Sequence, residues 1–100
     1  MIPELVEKSR EVEALCHRFD VARLEAFGSA VVGGYDEGSD LDFLVEFLGA
    51  GRGYADRYFG LQEALQDLFG RPVDLVVASA IKNPYFKESV ERTKTVLYAA

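Results

Sequence analysis

The segment from Phe27 to Phe47, FGSAVVGGYDEGSDLDFLVEF, constrains this chain more than any other. An apolar run gives way at Gly28-Ser29 to a glycine-rich turn, with Gly33 and Gly34 behind it, and a second apolar run follows that carries Asp40 and Asp42. Alternation in the second run predicts a strand from Leu41 to Phe47. Its period of two sends Asp40 and Asp42 to one face and Leu41, Phe43 and Val45 to the other. Backbone N–H groups and a hydroxyl at a glycine turn are phosphate-binding material. Two carboxylates on one face invite a divalent metal.

The flanking sequence supplies the rest of an α/β domain. Residues 3–19 place Leu5, Val12, Cys16 and Phe19 on one stripe with Leu15 beside it, which predicts one amphipathic helix opened by Pro3. Asp20 marks its exit. Val21 to Phe27 alternates around Arg23 and Glu25, with Ala22, Leu24 and Ala26 opposite, and predicts a strand that delivers Gly28-Ser29 to its carboxyl end. A turn or short helix is expected from Ser29 to Gly33.

After the glycine-rich connection at 48–53, Tyr54, Tyr58, Leu61, Leu65 and Leu68 recur at helical spacing, and Gly70 stands ready to close that helix. Val73 to Val77, VDLVV, has the apolar and β-branched character of a buried strand, interrupted by Asp74. An aspartate in that setting needs an explanation. Asn83-Pro84 fits the cap and first turn of a last helix running to about Arg92, and a short strand from Thr95 to Tyr98 completes the chain. The pattern yields three to four strands with helices between, and leaves open whether the sheet is parallel or mixed.

Composition excludes several classes. With 100 residues there is room for one domain, and a 49% apolar share with seven Phe and five Tyr is enough for a packed core. No apolar run approaches the roughly 18 residues of a membrane span, and the charged N-terminus is unlike a secretory leader, so a cytoplasmic protein without membrane contact is expected. The formal net charge of −6 argues against direct nucleic-acid binding. Cys16, the single cysteine, suits a buried thiol, and His17 has no second histidine with which to share a metal.

Asp40, Asp42 and Asp74 form the candidate constellation. Neighbouring strands that offer acids on one face can gather three carboxylates around one point, and hard oxygen ligands select Mg²⁺ or Mn²⁺ rather than zinc. Positions i and i+2 on a strand lie about 6.6 Å apart at Cα, a span from which side chains can converge on a metal pair. Nucleotidyl or phosphoryl transfer suits that geometry, with Asp74 placed to take a proton. The dinucleotide-binding and P-loop glycine patterns are both absent: no G-x-G-x-x-G follows Gly28, and Gly33 is followed by Gly34-Tyr35.

These residues resemble the minimal nucleotidyltransferases of the DNA polymerase β-like superfamily, antitoxin partners of HEPN-domain proteins. The matching pattern is Gly28-Ser29, Gly33, then Ser39-Asp40-x-Asp42 leading into LVEF, with a later helix ending in Leu-x-Gly-Arg and a Val-Asp-Leu-Val strand on Leu68 to Val76. The resemblance spans nearly the whole chain. It implies the polymerase β-like fold, with a small mixed sheet of three to four strands flanked by helices. It further implies ATP as substrate, with Gly28, Ser29, Gly33 and Ser39 at the nucleotide and its phosphates and Asp40, Asp42 and Asp74 as catalytic residues on Mg²⁺. The implied reaction is transfer of AMP to a tyrosine of a HEPN-domain protein encoded nearby. Val31 and Val32 depart from the pattern, since many relatives carry Ala-Arg there. Arg52, Lys82 and Lys87 are the cations available to replace that arginine. The alternative that follows from the departure is a non-catalytic antitoxin that binds its partner through a domain with a vestigial nucleotide site. Homo-oligomerisation is left open.

Overall fold

The computed structural model describes residues 2–28, 31, 40–49 and 53–100. Its elements are α1 (Pro3–Glu7), α2 (Ser9–Arg18), β1 (Val21–Phe27), β2 (Leu41–Phe47), α3 (Tyr54–Phe69), β3 (Val73–Val77), a 3₁₀ turn (Ala78–Ala80), α4 (Pro84–Thr93) and β4 (Thr95–Ala99). The four strands form one sheet in the order β3-β2-β1-β4. β1 runs antiparallel to both β2 and β4, while β2 and β3 are parallel, so the sheet is mixed as the resemblance implies. A parallel pair needs a long crossover, and α3 supplies it.

The period-two reading of β2 holds residue by residue. Leu41, Phe43 and Val45 are fully buried beneath α2 and α3, in a core that also takes Leu5, Val12, Cys16, Leu24, Ala26, Leu61, Leu65, Phe69, Val73 and Leu75. Full burial of a side chain such as Phe43 contributes about 1.5–3 kcal/mol, and the Phe43 and Phe69 rings pack 6.0 Å apart. The opposite face is partly covered by α4, whose Val90 packs on Phe27 and Leu44 in a second, smaller apolar cluster. Glu25 lies on that covered face and is buried, paired with Arg23 Nε at 3.0 Å.

Helix termini follow local chemistry. Asn83 caps α4, its Oδ1 accepting the N–H groups of Tyr85 and Phe86 at 2.9 and 3.2 Å. α3 ends at Gly70, which takes φ 68°, and Asp20 leaves α2 through a left-handed φ of 54°.

Two expectations need correction. The single helix over residues 3–19 is two helices, broken at Lys8, whose Nζ donates to the carbonyl of Leu68 at the end of α3. The strand Val73–Val77 is not interior but an edge of the sheet, and Asp74 on it is exposed. Its apolar run has a different origin. Val73 and Leu75 enter the main core and Val76 enters the cluster under α4, so both faces demand apolar residues although one edge is open.

That edge is partly covered by side chains. Tyr58, Gln62 and Gln66 repeat every four residues along α3, hence on one stripe. Gln66 Oε1 accepts the Val73 N–H at 3.2 Å, Gln62 Nε2 donates to the Val73 carbonyl at 3.0 Å, and the Tyr58 hydroxyl donates to the Leu75 carbonyl. Groups that another chain's strand would otherwise pair with are thereby occupied.

Candidate active site

The site lies where β1 ends and β2 begins, with β3 alongside. Antiparallel pairing sets Phe27 opposite Asp42, and parallel pairing sets Asp74 opposite Asp42 on the other side. Directly paired residues share a face and sit about 4.8 Å apart across the strands. Asp40 is exposed, two residues before Asp42, and Asp74 is exposed on the edge strand. The structure therefore places the three aspartates as neighbours on the sheet face opposite the α2–α3 core.

Asp42 is the half-buried member, and its electrostatics record the crowding. Burial, then the charge of Asp74 and then that of Asp40 push its carboxyl above the ordinary carboxylate range. A divalent cation would relieve all of that repulsion, so this oxygen-only donor set fits Mg²⁺ or Mn²⁺. Among the described residues, no three acidic, His or Cys side chains already stand in a ligating cluster. The carboxylates are adjacent without being converged.

Gly28 adjoins the same carboxylate. It takes φ 74°, where a side chain is strained, and a Cβ built there would fall 2.7 Å from Asp42 Oδ2, so that carboxylate would have to shift to admit one. Its N–H donates to Thr93 Oγ1 at 3.0 Å, and its carbonyl accepts the N–H of Val31, also at 3.0 Å. Val31 is helical and packs against the main core. An apolar residue at that position thus has a packing role. Ser29, Gly33 and Ser39, the other expected phosphate contacts, lie outside the described residues, as do Val32 and Arg52.

Of the remaining cations, Lys82 is exposed, and Lys87 lines a cavity of about 240 Å³ between α4 and the sheet with Glu25, Leu44, Glu46 and Lys94. The α4 residue that reaches the Gly28 turn is the uncharged Thr93. Sequence reasoning passed over it, because a threonine near the end of a helix carries no pattern that separates it from an ordinary surface residue. His17 stacks edge-on against Tyr98 at 5.3 Å and is remote in role from the acids. Cys16 is fully buried, its thiol pushed up to about 12 chiefly by burial and secondarily by Glu13.

Comparison with known proteins agrees with this geometry. The model of the nucleotidyltransferase domain family matches residues 9–97. An inferred protein adenylyltransferase of Methanocaldococcus jannaschii is 39% identical over 90 residues, covering 90% of this chain and 88% of its own. A solved structure described as an inferred minimal nucleotidyltransferase superposes with a TM-score of 0.75 at 35% identity, over 91% of this chain and 90% of that one. The fold also recurs, at a TM-score of 0.66 and 15% identity, in the complex of a tri-AMPylated Shewanella oneidensis HEPN toxin with its MNT antitoxin, over 96% of this chain and 73% of that one. With three aspartates on one sheet face, a glycine turn against the central one, and the family pattern running almost end to end, this chain belongs to the nucleotidyltransferase domain family.

Proposed function

We propose that this protein transfers AMP from ATP to a hydroxyl of a protein acceptor, as the cytoplasmic antitoxin of a HEPN-domain toxin encoded beside it. The observation that carries the reading is the register that sets Asp42 between Phe27 and Asp74, with Gly28 closed against its carboxylate. The names of the similar proteins support the acceptor class. No helix among the described residues is long and apolar enough to cross a membrane.

In this reading Asp40, Asp42 and Asp74 would hold Mg²⁺ or Mn²⁺, which when bound would supply charge neutralisation for the phosphates and acidify an attacking hydroxyl. In the same reading the segment from Gly28 through Ser29 to Gly33, with Ser39, takes the triphosphate by hydroxyls and by backbone N–H groups other than that of Gly28, which is bonded to Thr93. Asp74, exposed at the sheet edge, accepts the acceptor's proton. A tyrosine oxygen then bonds to the α-phosphorus, the bond from that phosphorus to the bridging oxygen breaks, and pyrophosphate leaves. Asp42 belongs at the centre because the register sets it beside Asp74 and two residues after Asp40, and burial with those two like charges pushes its carboxyl up, so a cation there would relieve repulsion.

The test uses ATP labelled at the α- or the γ-phosphate, Mg²⁺, and the product of the neighbouring reading frame. Label from the α position is expected on the partner, and label from the γ position is not. Absence of both, under conditions where nucleotide binds, removes the proposal. Transfer of γ label alone turns it into a phosphoryl transferase.

A further inference from the structure

We infer that Thr93 is a positioning residue of this site: its hydroxyl holds Gly28 beside Asp42 and ties that glycine to the seating of α4. The inference rests on the proposed nucleotidyl transfer for its consequence, although not for its geometry.

Gly28 is held from two sides. On one side the Asp42 carboxylate fills the space of a missing Cβ, 2.7 Å from where that atom would stand. On the other, Thr93 Oγ1 accepts the Gly28 N–H at 3.0 Å. The direction of the second bond is fixed by Gly28, since a backbone N–H can only donate. The carbonyls of Ser89 and Val90 lie 3.4 and 3.5 Å from the same oxygen and offer its hydroxyl an acceptor within the helix while a lone pair takes the Gly28 N–H.

Thr93 is itself well anchored. It is the last residue of α4, one turn after Val90, which is buried on Phe27 and Leu44. Two residues later Thr95 pairs with Ala26 of β1. The hydroxyl is thus fixed between a packed helix and a paired strand, both seated against the strand that ends in Gly28.

A backbone N–H at the mouth of a phosphate turn is ordinarily a donor for phosphate. Here Thr93 takes the Gly28 N–H, so that donor is withdrawn from the nucleotide and used to hold Gly28 beside Asp42. The residue acts on substrate through Gly28 and Asp42 without a contact of its own. Anything that lifts α4 from the sheet, a bound partner included, would disturb the turn through this one hydrogen bond.

The test compares wild type, Thr93→Val, which keeps the shape and deletes the hydroxyl, and Thr93→Ser, which restores it. Amide hydrogen exchange at Gly28, with Leu24 in the middle of β1 as control, reads the hold directly, and kcat/KM for ATP in the α-label assay reads its consequence. Thr93→Val is expected to speed Gly28 exchange about tenfold and to lower kcat/KM about tenfold, with Leu24 unchanged and both effects reversed in Thr93→Ser. Unchanged Gly28 exchange overturns the inference, and so does unchanged kcat/KM in an active protein. An equal rise at Leu24 also overturns it, since the effect is then general destabilisation. A wild type that transfers no label contradicts the proposed function instead, and Gly28 exchange alone then decides on Thr93.

Discussion

The two faces of β2 are built from alternate residues of one seven-residue strand, and they answer to different demands. Leu41, Phe43 and Val45 are fully buried under α2 and α3 and contribute only packing. Asp42, between the first two of them, faces Gly28 and Asp74, and its carboxyl is pushed above the ordinary range by burial and by like neighbours. One face lowers the free energy of the fold, and the other stores repulsion that a cation can release. The comparison teaches that stability and chemistry are separable here at single-residue resolution, since stepping by one position moves a side chain from one layer to the other.

The sharpest way to break that comparison is to substitute two consecutive residues. Asp42→Asn is expected to cut α-label transfer by about 10³-fold, on the order of 4 kcal/mol, while the urea midpoint of the metal-free protein stays level or rises because a repelled charge is gone. Phe43→Ala is expected to do the reverse, losing about 3–5 kcal/mol in urea unfolding, with transfer by the folded fraction largely kept. Equal stability losses in both variants would show that the faces are not separable.

Gly28→Ala joins the faces. A left-handed alanine and a methyl pressed toward Asp42 Oδ2 are expected to cost about 1–3 kcal/mol of stability in thermal unfolding and to weaken metal binding, read by Mn²⁺ titration. Near-normal values for both would mean that the turn relaxes freely.

Smaller effects lie at the sheet edge and in the core thiol. Tyr58→Phe deletes the donor to the Leu75 carbonyl, an expected loss of about 0.5–1.5 kcal/mol in urea unfolding, with light scattering checking for new association along the uncovered edge. Cys16 titrates near 9.0 when unfolded and at about 12 in the fold. Because its pKa is raised, its contribution is intact below pH 9.0 and falls as pH rises from there through about 12, as the unfolded thiol ionises first. Cys16→Ala should therefore lose less stability than wild type between those pH values, measured by urea melts. The native thiol should also resist alkylation until the chain opens.

Much of this was legible in residue order. Strands β1 and β2, helix α3 with its Gly70 stop, and the Asn83-Pro84 start of α4 follow from periodicity and capping chemistry, which act locally. The break at Lys8 was not legible, since the partner of its ammonium group, the Leu68 carbonyl, is distant in sequence. Nor was the edge position of β3, because an edge strand covered on both faces has the same apolar run as an interior one. In the site, the pairing of Asp40 with Asp42 came from strand geometry, whereas the approach of Asp74 depends on a parallel register that no local pattern specifies. Thr93 was invisible for the same reason, its one telling partner lying across the fold at Gly28.

The most direct measurement is neutralisation by a double variant, Asp40→Asn with Asp42→Asn, scored together with the intact mass of the proposed HEPN-domain partner after incubation with ATP and Mg²⁺. Catalysis predicts that wild type adds adenylyl groups and silences the partner, whereas the double variant still binds the partner but adds nothing and leaves it active. Silencing of equal strength by both proteins, with no adenylyl mass on the partner in either case, would contradict catalysis and establish occlusion.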